Sequence, residues 1–201
     1  MVQTPSMMLA IGTPAPDFNL AEPATGRRWA LAGFTSDTLV VMFICNHCPF
    51  VIHVRDQITQ LARDYAGRGV DVVAINSNSE ASHPQDGPVH MAELVRELGW
   101  TFPFLFDETQ AVAKAYHAAC TPDFYVFDRE RRLRYRGQLD ASRPSNAIPV
   151  TGADLRAAID AVKAGRPAPA EQRPSIGCNI KWTPGNEPDY FTAFISSRKT
   201  G

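Results

Sequence analysis

A change of hydrophobic period between residues 38 and 76 constrains this chain more than any other feature. "TLVVMFI" (38–44) is an unbroken apolar run rich in β-branched residues, the pattern of a strand buried on both faces. Val51, Val54, Ile58, Leu61 and Tyr65 then recur at intervals of 3, 4, 3 and 4 residues, which is one face of a helix, and "AGRG" (66–69) supplies its stop. "VDVVAIN" (70–76) returns to the buried-strand pattern. Strand, helix and strand without a tight hairpin form a βαβ unit, whose two strands are parallel and joined by a right-handed crossover. Strands hidden on both faces need helices on both sides of the sheet, so the fold class is α/β.

The remaining segments extend this unit. A polar loop, "SNSEASHPQDG" (77–87), precedes a helix predicted at 88–98, a short strand at 102–107 and a helix at 109–118. "DFYVFD" (123–128) and "RLRYRG" (132–137) flank a turn and read as a hairpin. The last regular element predicted is a helix at 151–165, with Thr151 or Asp154 as N-cap and Gly165 as its stop. The Pro- and Gly-punctuated opening (11–34) offers one short strand at 28–31. A chain of 201 residues suits one domain with additions. The expectation is a central mixed sheet flanked by helices over residues 1–165, with an N-terminal extension and a helix–strand insertion. The Pro-rich tail, 166–201, carries Ile176, Ile180, Trp182, Tyr190 and Phe191 and is expected to pack on that domain.

Charge excludes several partners. The net charge is -1, and basic residues are dense only in "DRERRLRYRG" (128–137), where alternation marks a solvated hairpin face. Neither nucleic acid nor a membrane surface is expected as a partner. No apolar run approaches the roughly 18 residues of a membrane span, and the N-terminus lacks a basic region followed by a long apolar core. The expected compartment is the cytoplasm, where thiols are kept reduced. Four cysteines are too few for a disulfide scaffold, so a C-x-x-C pair there points to redox or metal chemistry.

That pair lies in "FICNHCPF" (43–50). Cys45 ends the first buried strand and Cys48 enters the helix, which puts the Cys45 sulfur at a helix N-terminus, among unpaired N–H groups and the positive end of the macrodipole, where a thiolate is favoured. Pro49 suits the first helical turn. Lowering a thiol from about 8.5 to about 6.5 takes roughly 2.7 kcal/mol, whereas the macrodipole supplies only ~0.3–1 kcal/mol. Hydrogen bonds to the sulfur and a protonated His47 are expected to supply the rest, and His47 would then make the disulfide more oxidising. His53 falls off the apolar stripe and reads as a surface residue. In the resulting reaction Cys45 attacks, a mixed disulfide forms and Cys48 resolves it. This needs no cofactor, but it does need a disulfide-containing protein or small-molecule substrate and an external thiol reductant. The alternative from these residues is a metal module in which Cys45, Cys48 and a histidine hold Cu(I) or Zn.

"GTPAPDFNL" (12–20), "CNHC" (45–48) and "CTPDFYVFD" (120–128) together resemble thioredoxin-fold proteins of the alkyl hydroperoxide reductase/thiol-specific antioxidant, peroxiredoxin-like group. The resemblance covers residues 10–165 or so. It implies a thioredoxin-like fold with a cis Thr121-Pro122 bond facing the cysteines, and a Thr121 backbone able to pair with a substrate peptide. It puts Cys120 beside the pair as a further thiol. "GCNIKWTPGNEP" (177–188) resembles an extension in one peroxiredoxin-like branch, and Cys178 within it is a candidate extra resolving thiol. Peroxiredoxins of the usual type carry P-x-x-x-T-x-x-C; here Val41 and Cys45 stand at the proline and threonine positions. Disulfide exchange is therefore the leading reading and a thiol peroxidase the alternative. "TLVVMFI" holds no acid to receive the resolving thiol's proton. Resemblance to the membrane-anchored, thioredoxin-like reductases of cytochrome maturation assigns that role to Glu80.

Overall fold

The computed structural model describes residues 3–199. Its strands are β1 (Gln3–Pro5), β2 (Asn19–Ala21), β3 (Arg28–Ala30), β4 (Thr38–Phe43), β5 (Val70–Asn76), β6 (Phe104–Phe106), β7 (Cys120–Thr121), β8 (Asp123–Phe127), β9 (Leu133–Gly137) and β10 (Ile176–Asn179). The helices are α1 (Pro49–Tyr65), α2 (Pro88–Leu98), α3 (Ala111–Ala115), α4 (Ala153–Lys163) and α5 (Asp189–Lys199). Seven strands form one sheet in the order β3-β2-β6-β5-β4-β8-β9. β4 pairs parallel with β5, and β5 with β6, while the β4–β8 and β8–β9 pairs are antiparallel. This is the mixed, thioredoxin-like sheet that the βαβ unit and the hairpin imply.

Alternation along β4 divides the core. Val40 and Met42 join one apolar cluster with Val51, Val54, Ile58 and Leu61 of α1 and with Leu155, Ile159 and Val162 of α4. Leu39, Val41 and Phe43 face the other way, against Val112 and Ala113 of α3 and against Ile180, Trp182 and Phe191 of the tail. Every residue of β4 is buried. The tail thus covers the sheet face that α3, only five residues long, leaves open.

Two helix ends differ from expectation. α4 is capped by neither Thr151 nor Asp154: its N-cap is Gly152, at φ 70°. The buried Asp140 carboxylate accepts the Thr151 and Gly152 N–H groups at 2.7 and 2.6 Å, so the cap comes from an earlier loop. α3 stops at Ala115 rather than near 118, because His117 takes a left-handed conformation at φ 51°.

A second, three-stranded sheet, β1-β10-β7, has no counterpart in the expectations. β10 pairs antiparallel with β7, setting Cys178 opposite Thr121, and with β1, setting Cys178 opposite Gln3. Gly177 makes this approach possible. A Cβ there would lie 1.9 Å from the Thr121 carbonyl oxygen and 3.2 Å from the Pro122 nitrogen.

Asp123 follows the cis-proline and is fully buried. It accepts hydrogen bonds from Ser6 Oγ at 3.0 Å, Tyr125 Oη at 2.8 Å and its neighbour's amide at 3.1 Å. Burial nonetheless pushes its carboxyl up to about 7. An unfolded aspartate ionises near 3.9, so between those values the unfolded chain gives up a proton that the folded chain keeps. Stability from this group is therefore lost as pH rises from about 4 to about 7, by at most about 4 kcal/mol. Asp123→Asn should flatten that part of the profile, read as the difference in urea midpoints between variant and wild type across the range.

Candidate active site

β4 delivers the chain to the C-terminal edge of the sheet, where the Ile44 amide still donates to Ile75 O at 3.1 Å. The chain then turns through Cys45–Cys48 into α1. Cys48 is the N-cap and Pro49 the first helical residue, with the Val51 and Ile52 amides both donating to Cys48 O at 2.9 Å. The turn faces the cis Thr121-Pro122 bond. Cys45 Sγ lies 3.4 Å from Thr121 Oγ1, and Cys48 Sγ lies 3.2 Å from the Thr121 carbonyl. Both cysteines are buried, at 1% and 0% exposure.

An acid that the sequence does not single out organises this turn. Asp86, in the short 3-10 turn Pro84–Asp86 before α2, is fully buried. One carboxylate oxygen accepts the Asn46 and His47 amides at 2.9 and 3.2 Å. The other meets His47 Nδ1 at 2.5 Å and accepts from Asn78 Nδ2 at 2.8 Å. Burial alone would raise the Asp86 carboxyl, but the bonds from His47, Asn78 and the Asn46 amide leave it below its ordinary value. Its negative charge bears on Cys45.

The sulfurs differ in the direction expected for ionisation. Cys45 is pushed well up by its hydrogen bond to Cys48, by burial and by the charge of Asp86. Cys48 is pushed down by hydrogen bonds from the Cys178 and Cys45 thiols, which outweigh its burial, with the Val51 amide adding to the effect. Of the two sulfurs, Cys48 is the one whose surroundings favour the thiolate. The helix N-terminus acts on the residue that caps it, and Cys45 lies three residues earlier, beside a carboxylate. The Thr121 carbonyl, which can accept from a Cys48 thiol but not from a thiolate, works in the opposite direction.

His47 is one-quarter exposed; its Nδ1 is taken by Asp86 and its ring stacks on His83 with centroids 5.1 Å apart. It bonds to neither sulfur and reaches the pair through Asp86. Glu80 is exposed, and its carboxylate fills the space in front of Gly87, where a Cβ would lie 2.4 Å from Oε1. It is Asp86 that stands beside the motif. His53 bonds Ser142 Oγ at 2.7 Å, away from the sulfurs. Cys120 is fully buried, with its sulfur 3.8 Å from Pro122 O, and burial pushes its thiol well up. Cys178, by contrast, comes into hydrogen-bonding contact with Cys48.

Cys45 Sγ, a His47 ring nitrogen and an Asp86 oxygen lie within 4.8 Å of one another, which is a donor set zinc accepts. A metal taken by the Asp86 oxygen that meets His47 and Asn78 would cost those two bonds, while the other oxygen kept the two amides that shape the turn.

The Redoxin family model matches residues 10–155, which spans β2 to the start of α4 and includes the cysteine turn and the cis-proline. The chain belongs to the Redoxin family. A crystal structure of an uncharacterized conserved protein from Geobacillus kaustophilus is 54% identical, with a TM-score of 0.90, and the match covers 92% of this chain and 98% of that one. A hypothetical protein from Sinorhizobium meliloti is 52% identical with a TM-score of 0.89, covering 90% and 100%. Among curated proteins, the thiol-disulfide oxidoreductase ResA of Geobacillus thermodenitrificans is 23% identical over 131 residues, which is 65% of this chain and 71% of that protein. This Redoxin is thus related to thiol-disulfide oxidoreductases at low identity. The two structural matches leave at most about a tenth of this chain uncovered. Among the described residues, no helix is long and apolar enough to cross a membrane.

Proposed function

We propose that this Redoxin is a thiol-disulfide oxidoreductase in which Cys45 and Cys48 alternate between dithiol and disulfide. The observation that carries the reading is the placement of both sulfurs against Thr121, at the N-terminus of α1, with unequal tendencies to ionise. Cys48 attacks as the thiolate. A bond forms between Cys48 Sγ and one substrate sulfur, and the other substrate sulfur leaves with the electron pair. Forming the mixed disulfide removes the charge of Cys48, one of the causes that keep Cys45 protonated. Cys45 can then ionise and attack Cys48 Sγ, releasing the reduced substrate. The Asp86 carboxylate, within 4.8 Å of Cys45 Sγ, is the proton acceptor in this scheme. An external thiol reductant returns the pair to the dithiol.

Thiol trapping across glutathione buffers tests the pair. Stabilising the reduced form by a Cys48 thiolate should place its potential above the roughly -270 mV of thioredoxin, toward the roughly -120 mV of a strong oxidant. Failure to form a Cys45–Cys48 disulfide at any poise would end this reading. The order of attack is tested with Cys178→Ser added to each variant: Cys45→Ser should then accumulate a mixed disulfide on Cys48, whereas Cys48→Ser should trap little on Cys45.

A second reading is supported by the position of β10. It occupies the Thr121 edge that a substrate peptide would use, and both thiols are buried. A hydroperoxide is small enough to need no such edge. Cys48 would break its O–O bond to give a sulfenic acid and an alcohol or water, and Cys45 would condense with that acid, releasing water. Peroxide turnover with dithiothreitol distinguishes the two readings.

A further inference from the structure

We infer that Cys178 is a third redox-active thiol of this site, exchanging with Cys48 so that one disulfide can reside either as Cys45–Cys48 or as Cys48–Cys178. The inference rests on the Cys45–Cys48 reading and adds a second destination for its oxidising equivalents.

The tail is built to bring this sulfur in. β10 is held on both sides, by Thr121 of β7 and by Gln3 of β1, each directly opposite Cys178. The next residue back is Gly177, which alone permits the contact with the Thr121 carbonyl. Cys48, whose sulfur lies 3.2 Å from the Thr121 carbonyl, and Cys178, paired with Thr121 across the ladder, therefore meet at the same residue. Cys178 is 2% exposed and contacts Cys48 rather than Cys45. Cys120, next to Thr121 in sequence, aims its sulfur at Pro122 O instead and takes no part.

The surroundings favour exchange in the oxidised state. In the dithiol, Cys178 keeps its proton because it donates to Cys48, because it is buried and because the Cys48 charge repels a second anion. A Cys45–Cys48 disulfide removes the first and last of these, leaving burial and the Cys120 sulfur opposed by the positive charge of Lys181. The Cys178 thiolate then attacks Cys48 Sγ. The Cys48–Cys178 bond forms as the Cys45–Cys48 bond breaks, and the electron pair leaves on Cys45 Sγ. That sulfur takes up a proton equivalent to the one Cys178 released, and beside Asp86 it holds that proton firmly. One disulfide is exchanged for another, so no further oxidant enters. The product ties β10 covalently to the start of α1, over the Thr121 edge.

The experiment oxidises the full-length wild type and Cys45→Ser with glutathione disulfide, alkylates the remaining thiols in acid and maps the linked peptides. In Cys45→Ser the expected result is a Cys48–Cys178 disulfide, seen as loss of both residues from alkylation while Cys120 is still modified after denaturation. In wild type, both linkages should appear at intermediate poise. A Cys48–glutathione adduct in Cys45→Ser, with Cys178 fully alkylated there and in wild type, would overturn the inference while leaving the Cys45–Cys48 pair intact. If wild type instead forms Cys48–Cys178 and never Cys45–Cys48, the pair reading fails and the role of Cys178 stands. Should the variant not fold, the wild-type map alone decides, because any Cys48–Cys178 linkage supports the inference and its absence at every poise refutes it.

Discussion

Asp86→Ala is expected to destabilise the protein by about 3–5 kcal/mol, the usual effect of removing one partner from a buried charged network. The alanine leaves the Asn46 and His47 amides, His47 Nδ1 and Asn78 Nδ2 without the acceptor they share in the folded protein. Each buried donor left unmade costs about 1–3 kcal/mol, and local relaxation recovers part of the sum. Urea denaturation at neutral pH measures the loss; a change below about 1 kcal/mol would show that water or His47 alone can hold the turn. Asp86→Asn separates charge from shape. It retains an oxygen for the two amides but removes the negative charge that raises Cys45. Made in a Cys48→Ser background, where Cys45 titrates without its sulfur neighbour, it should let Cys45 alkylate at lower pH. No shift would mean that burial, not Asp86, governs Cys45.

Gly177→Ala should peel β10 away from β7. The new methyl would meet the Thr121 carbonyl oxygen at 1.9 Å and its carbon at 2.6 Å. Both are backbone atoms of the ladder that holds the cis-proline, so no flexible side chain can swing aside. Overpacking of this kind costs about 1–3 kcal/mol, and the cheapest relief is separation of the short β10 from its neighbours. Cys178 should then alkylate faster in the native state, and the β10 amides should lose protection from hydrogen exchange. If the alanine protein keeps both, the ladder tolerates more displacement than these distances imply. Separation also exposes the Thr121 edge, so reduction of peptide disulfides should rise relative to reduction of small disulfides.

The central layer was legible because hydrophobic period is a local signal. β4, α1 and β5 follow from residues 38–76, and the five apolar positions that mark the inner face of the helix are all buried. The facing of Thr121-Pro122 toward the cysteines came from resemblance, since nothing local in "CTPD" prescribes a cis bond. Asp86 was not legible. It sits in a loop of serine, asparagine, proline and glycine that also holds Glu80, and what distinguishes the two acids is a contact 40 residues back along the chain. β10 escaped for a related reason: four residues, one of them glycine, carry no period, and their pairing is chosen by shape at Thr121. The spacing of the motif treats the helix terminus as one undivided environment for both sulfurs. The N-cap position and the nearby carboxylate separate the two sulfurs, and neither is visible in the spacing of the motif.

The little sheet that joins β1, β10 and β7 also sets a timetable. Its central strand, β10, and the neighbouring β1 come from opposite ends of the described chain, so this cover depends on contacts of very long sequence separation, which form late. The large sheet and the cysteine turn are complete in sequence before β10 has been made. A newborn chain therefore passes through a stage with its sulfurs assembled but uncovered, open to whatever oxidant or protein is near. Refolding followed by pulsed alkylation should find cysteine protection lagging behind the return of far-ultraviolet ellipticity. The protein's first encounter with an oxidant would then come before its own tail has closed over the site.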